Sequence, residues 1–260
     1  MYQIKNFIDN DDVQVLEEKG AFKVIEFKRD LSVSYDSAIS EYFAAKMNIH
    51  RRQVICDLST SDVILQSGAM QWMIGDVKST TGLKGVGDFL KKSLRGSATG
   101  ESAIKPEYVG EGQVILEPTY KYILLEDLSN WNGSIVLEDG FFLSCHNSIE
   151  HKAIMRSNIS SAALGNEGLF NLGLTGQGVV ALESSCPREE LIEIYLEDDT
   201  IKIDGSMAIA WSSSLKFTVE RSGKSLLGSA ASGEGLVNVY KGTGKILMSP
   251  VVKNLDKSII

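Results

Sequence analysis

The residues best suited to chemistry lie close together in the stretch SCHNSIEH, which holds Cys145, His146 and His151. A thiolate and two imidazoles are typical zinc ligands, but a closed zinc site needs four well-placed ligands. On a strand, Cys145 and His146 would also point to opposite faces. We therefore expect no metal and no other cofactor here, and interpret the three side chains as surface or core residues.

Three glutamates form a second candidate site, because each precedes a glycine and then an apolar run: Glu111, Glu167 and Glu234. If they converge on an internal axis, the carboxylates raise one another's pKa or bind a cation. Alternatively, each accepts backbone hydrogen bonds at a corner of the chain, as structural networks also do. We favour the second interpretation and predict no catalytic, cofactor-binding or metal-binding residue.

The glycine-rich stretch SGEGLVNVYKGTGKI, residues 232–246, could suggest a phosphate-binding loop. Such a loop needs a glycine five residues before its Gly-Lys pair and a serine or threonine after it. Val239 and Ile246 stand at those positions. The glycines are therefore predicted to serve corners and bulges. Since the chain also has no G-x-S-x-G nucleophile motif, we predict a protein that is not an enzyme.

Glycines mark three similar corners in the chain. Gly68, Gly140 and Gly205 each lie between two apolar-rich stretches, as in a hairpin or a tight corner. The first repeat is longer than the other two between this glycine and the Glu-Gly pair. The extra residues are 81–100, and their apolar spacing predicts an amphipathic helix at 86–95.

Short apolar runs broken by Gly, Asp and Asn predict an all-β fold. The repeats predict three tandem barrel-like modules, at residues 52–125, 126–186 and 187–255. Residues 1–51 differ and predict a small α/β appendage, a hairpin followed by a helix at 36–47. Asp36 is expected to cap this helix, whose apolar face holds Ile39, Tyr42 and Phe43.

The chain is acidic, with 260 residues and a formal net charge of -8, which makes nucleic acid an unfavourable partner. We favour the interpretation that the predicted 86–95 helix plugs one end of a barrel and turns its charges to water. Alternatively, its basic face allows weak peripheral membrane contact. It holds Lys84, Lys91, Lys92 and Arg95. Three widely spaced cysteines predict no disulfide framework. The first 20 residues lack the features of a signal or transit peptide, which predicts a cytoplasmic protein.

Four motifs resemble the family of altered-inheritance-of-mitochondria protein 24. They are SGAMQWMIGDV (67–77), GVGDFLKKSLRGSATGESA (85–103), GEGQVILEP (110–118) and DGSMAIAW (204–211). The resemblance covers residues 52–255. It implies a fold similar to the tryptophan RNA-binding attenuation protein, a short double-stranded β-helix, present three times in one chain. It also implies a tendency to assemble and a pseudo-threefold arrangement of the three modules within the chain, and it transfers no catalytic residue.

The resemblance and the composition together favour a non-enzymatic scaffold or interaction protein that acts through self-assembly as a homo-oligomer. One alternative is a small-molecule-binding protein with a cavity inside or between the barrels. Another is a metal-dependent enzyme of the cupin type, with a site around His146. The unknown partner would be another protein or a small ligand.

Overall fold

A computed structural model describes residues 2–29, 32–80, 105–155, 170–221 and 236–250. Within these residues the secondary structure is mainly β, with one α-helix and two short 3₁₀ turns. The predicted all-β fold class is therefore confirmed. The arrangement in three modules stays a prediction, and the predicted helix at 86–95 lies outside the described residues.

The elements follow in chain order. They are β1 (Val13–Lys19), β2 (Phe22–Phe27), α1 (Ala38–Lys46), β3 (Arg52–Asp57), β4 (Val63–Leu65), β5 (Met70–Thr80), β6 (Glu107–Leu116), β7 (Tyr122–Asp127), β8 (Ser134–Leu137), β9 (Phe142–His146), β10 (Glu150–Met155), β11 (Phe170–Thr175), β12 (Val179–Ser184), β13 (Ile192–Asp204), β14 (Ala208–Ser212), β15 (Lys216–Arg221) and β16 (Leu236–Met248).

The described strands form two sheets. The first has the order β1-β2-β3-β6-β4-β9-β12-β7, with β5 paired to β6, and the second has the order β10-β11-β8-β14-β16-β13, with β15 paired to β16. Each sheet joins strands from two of the predicted modules, so neighbouring modules share a sheet. β7 crosses the predicted boundary between residues 125 and 126, and a boundary near residue 120 keeps this strand whole.

A long antiparallel hairpin recurs three times, as β5–β6, β10–β11 and β15–β16. The connection of the first hairpin is the longest, and it contains the extra residues 81–100. In this hairpin the two backbones approach so closely that a Cβ on Gly112 would overlap the carbonyl oxygen of Ile74. Glycine is required there because any side chain would force the strands apart.

The three predicted corner glycines lie where the chain turns between strands. Gly68, Gly140 and Gly205 have φ values of +82°, +81° and +63°. These values fall in the left-handed region that glycine adopts without a steric cost. The corners read from the sequence are therefore confirmed by their backbone conformation.

The apolar core is divided among clusters that follow the sheets. One centres on Trp131 and the strands around the second corner, and another on Trp211 and Tyr240, whose ring centroids are 5.2 Å apart. All three cysteines are free and buried, as expected for a chain without a disulfide framework: Cys56, Cys145 and Cys186.

The N-terminal appendage contains the predicted hairpin, β1–β2, which extends the first sheet through β3. The helix α1 also forms, but it begins after Ser37, so the prediction of Asp36 as its cap is wrong. No residue of α1 is buried, and Ile39 and Phe43 are 74% and 62% exposed. The predicted apolar face of α1 therefore faces outward.

Candidate functional site

Two junctions between strands follow one rule: the strand before one glycine corner pairs with the strand after the next corner. The strand before the first corner, β4, pairs with the strand after the second corner, β9, and places Ile64 opposite Cys145. The strand before the second corner, β8, pairs with the strand after the third corner, β14, and places Val136 opposite Trp211. At both junctions the two side chains belong to one apolar cluster, so each junction buries apolar surface as well as backbone.

A repeated β-bulge shows that the strands after the three corners are equivalent. The pairing shifts by one residue at Gln71 in β5, at Leu143 in β9 and at Ile209 in β14. A bulge inserts one unpaired residue and bends its strand, and such bulges are specific features of a fold. The bulge therefore aligns Met73, Cys145 and Trp211 as matching positions.

The same rule leaves one strand edge at the first corner and one at the third corner without such a junction among the described strands. The strand before the third corner, residues 199–204 of β13, pairs only with β16 among the described strands. The strand after the first corner, Met70–Met73 of β5, pairs only with β6 within the same described part. Met73 is 43% exposed, whereas its counterparts Cys145 and Trp211 are 0% and 1% exposed.

The edge of β13 has one apolar and one polar face. Ile201 points inward and packs against the cluster around Trp211. Lys202 points outward, and its Nζ lies 3.5 Å from a carboxylate oxygen of Glu220. An exposed edge with an apolar inner face is a template for another strand.

Of the three predicted candidates in this stretch, Cys145 and His151 contact each other, and His146 does not join them. The Cys145 Sγ lies 3.2 Å from the Nε2 of His151. Burial raises the pKa of the Cys145 thiol, and burial together with the charge of Lys105 lowers the pKa of His151 to about 4. Both groups are therefore neutral at neutral pH, whereas a nucleophilic cysteine needs a thiolate.

His146 points away from this pair, as the alternation of side chains on a strand predicts. Its Nε2 accepts a hydrogen bond of 3.1 Å from the backbone N–H of Ala21, and its ring stacks on Phe22 with centroids 5.3 Å apart. Burial lowers the pKa of His146, partly opposed by the charge of Asp127. The ring thus holds the tip of the β1–β2 hairpin, and the described residues contain no cluster of three metal-ligating side chains.

Only some of the remaining candidate residues lie within the described part of the chain. Glu111 is exposed in the middle of β6, opposite Asp76, and not at a corner. Glu167 and Glu234 lie outside the described residues, as do the cations of the 86–95 helix: Lys84, Lys91, Lys92 and Arg95. In the glycine-rich stretch, Gly242 lies in β16 with φ +125°, beside the bulge of β13. This is a structural position of the predicted kind.

The two strand edges left by this rule were not among the residues predicted from the sequence. The three corners were predicted, but the pairing of the strands on either side of them was not. The three corners in the sequence already indicate these edges. Three successive corners form two internal junctions, so one strand edge at the first corner and one at the third have no partner within the series.

In the described part of the chain, no helix has the length and apolar character needed to cross a membrane. A cytoplasmic location stays a prediction.

Comparisons with known proteins agree on the family. Residues 47–251 match the family described as Mitochondrial biogenesis AIM24. The crystal structure of SPYM3_0169 from Streptococcus pyogenes is similar, with 26% identity, a TM-score of 0.58 and coverage of 78% of this chain and 89% of that one. No curated protein matches the chain. Because the family match spans most of its length, this chain belongs to the AIM24 family of mitochondrial biogenesis proteins.

Proposed function

We propose that the protein is a non-enzymatic scaffold that assembles head to tail. The edge of β13 at residues 199–204 in one copy would pair with Met70–Met73 of β5 in the next copy. The observation that supports this is the junction rule, which operates twice inside the chain and leaves these two edges. The family description names a process and not a reaction, which also fits a non-enzymatic role.

The internal junctions give the register of the proposed interface. Ile64 opposite Cys145 and Val136 opposite Trp211 correspond to Ile201 opposite Met73. Such an apolar cross-strand pair contributes roughly 0.2–1 kcal/mol, to which the backbone hydrogen bonds of the edge add.

The two edges differ, so the interface is heterologous. A heterologous contact gives a ring if the rotation per copy closes and a filament if it does not. Either assembly presents many copies of the same outer surface, which is what a scaffold requires. The neutral, buried state of Cys145 and its contact with His151 fit a structural role for that pair.

Substituting Met73→Lys should weaken assembly, because a charge on a strand edge opposes edge-to-edge pairing. We expect wild-type protein to exceed 28.4 kDa by light scattering after size-exclusion chromatography. The variant should associate at least about tenfold more weakly. Met47→Lys is the matched control, because Met47 directly follows α1 and is 74% exposed. A wild-type monomer at every concentration, or equal loss of assembly in both variants, would overturn the proposal.

A further inference from the structure

The helix α1 stands over a cavity on the surface of the N-terminal appendage. None of its nine residues is buried, and a helix of this length is marginal in water without tertiary packing. The polar contacts that hold its C-terminal end are made to the carbonyl oxygen of Asn48, from the Nη2 of Arg52 at 3.2 Å and the hydroxyl of Tyr122 at 3.1 Å. The residues of α1 that line this cavity are Ala38, Glu41, Tyr42, Ala45 and Lys46.

This cavity, which we call the α1 groove, has a volume of about 490 Å³. That volume lies in the range of small-molecule sites, roughly 300–1,000 Å³. Its walls are largely apolar, with Phe27 of β2 among them and Ala38, Ala45 and Ile49 from the helix and the residues after it. The small alanine side chains leave space on the helix side of the cavity.

The charges around the α1 groove have one dominant sign. Among the described residues, four basic side chains line the groove: Lys28, Arg29, Lys46 and Arg51. Within the same residues the lining holds one carboxylate, Glu41, and Arg29 also donates to Asp12 at 2.8 Å. In a chain with a net charge of -8, this is a local reversal of sign. A cationic rim over an apolar wall complements a ligand with an anionic head and an apolar tail.

We infer that the α1 groove binds a single-chain anionic amphiphile of the fatty-acid type. The tail lies under α1 against Phe27 and Ala45, and the carboxylate lies near Lys28 and Arg51. Cations that are largely exposed contribute little affinity, so the tail supplies most of the binding and the rim selects the charge. Affinity should rise about fourfold for each methylene added to the tail, until the groove is filled. This inference does not depend on the proposed assembly.

Isothermal titration calorimetry with monomeric dodecanoate tests the inference, and dodecyltrimethylammonium serves as the probe of opposite charge. We expect one dodecanoate per chain, bound at least about tenfold more tightly than the cationic probe. Ala45→Trp should abolish binding by filling the groove. Lys28→Glu should weaken dodecanoate binding and strengthen binding of the cationic probe.

Two control variants separate the groove from the rest of the surface. Ile39→Trp adds the same side chain to α1 outside the groove, and Lys78→Glu reverses a charge on β5, where Lys78 is 76% exposed. Both should bind dodecanoate as the wild type does. Equal affinity for the two probes, or unchanged binding in Ala45→Trp, would overturn the inference. So would binding to anionic phosphatidylglycerol vesicles without binding of monomeric dodecanoate, because the outer apolar face of α1 would then meet a bilayer.

Discussion

Replacing Arg52 by alanine should lower the free energy of unfolding by about 3–5 kcal/mol, because the change leaves a buried carboxylate without its partner. The Nη2 of Arg52 lies 2.7 Å from the carboxylate of Glu26, and the two side chains are 2% and 7% exposed. The guanidinium also stacks over the ring of Tyr122, 4.0 Å from its centroid. Urea denaturation of the two proteins measures the difference.

Two comparisons show whether the buried charge is the cause. The pair Glu26→Gln with Arg52→Met should recover most of the loss, because a neutral pair of similar volume leaves no unpaired charge. The ion pair between Asp76 and Lys78, at 3.9 Å, is the exposed control, since its side chains are 80% and 76% exposed. Lys78→Ala should cost less than about 1 kcal/mol. A similarly small cost for Arg52→Ala would contradict this account.

Lowering the pH from 7.5 to 4 should destabilise the protein by up to about 3 kcal/mol through His151 alone. Its pKa is about 4 in the folded chain, because burial and the charge of Lys105 oppose protonation. In the unfolded chain the pKa returns to the usual value of 6.5. Between these values the unfolded state binds the extra proton, so stability falls as the pH falls and levels off below 4.

The contribution of His151 is obtained by difference, because carboxylates also titrate in this range. His151→Phe keeps a ring of similar shape beside Phe142, whose centroid lies 5.9 Å from that of His151, and removes the proton site. The variant should lose less stability between pH 7.5 and 4 than the wild type. Lys105→Gln should raise the pKa of His151 and reduce the loss in part. Identical pH profiles for wild type and His151→Phe would show that this histidine does not titrate as the structure indicates.

Local features of the fold could be predicted because they depend on neighbouring residues. The corners at Gly68, Gly140 and Gly205 need a left-handed backbone, which glycine provides, and period-two apolar patterns define strands. The buried charge of Arg52 could not be predicted, since its partner Glu26 becomes adjacent only when β2 pairs with β3. In the sequence Arg52 follows Arg51, and two adjacent arginines are typical of the protein surface.

The glutamate motif illustrates how a repeat in sequence differs from a repeat in structure. The matching bulges place Val114 of β6, opposite Met73, where Val180 of β12 lies opposite Cys145. By that register, Glu111 corresponds to Gln177 and not to Glu167. Gly110 and Gly112 are required because β5 approaches β6 closely at these positions, a contact that the sequence of β6 alone does not show.

The most direct test of the assembly is a register-specific disulfide between copies. Met73→Cys and Ile201→Cys are made in separate chains, and the two variants are mixed and oxidised. A disulfide can form if these residues lie directly opposite each other, because such residues in paired strands have the Cα spacing that a disulfide requires. The native Cys56, Cys145 and Cys186 are buried and should not compete. We predict a covalent dimer only in the mixture, and none when Asp204→Cys replaces Ile201→Cys. No covalent dimer in the mixture, or a disulfide only within one chain that carries both changes, would contradict head-to-tail pairing of these edges.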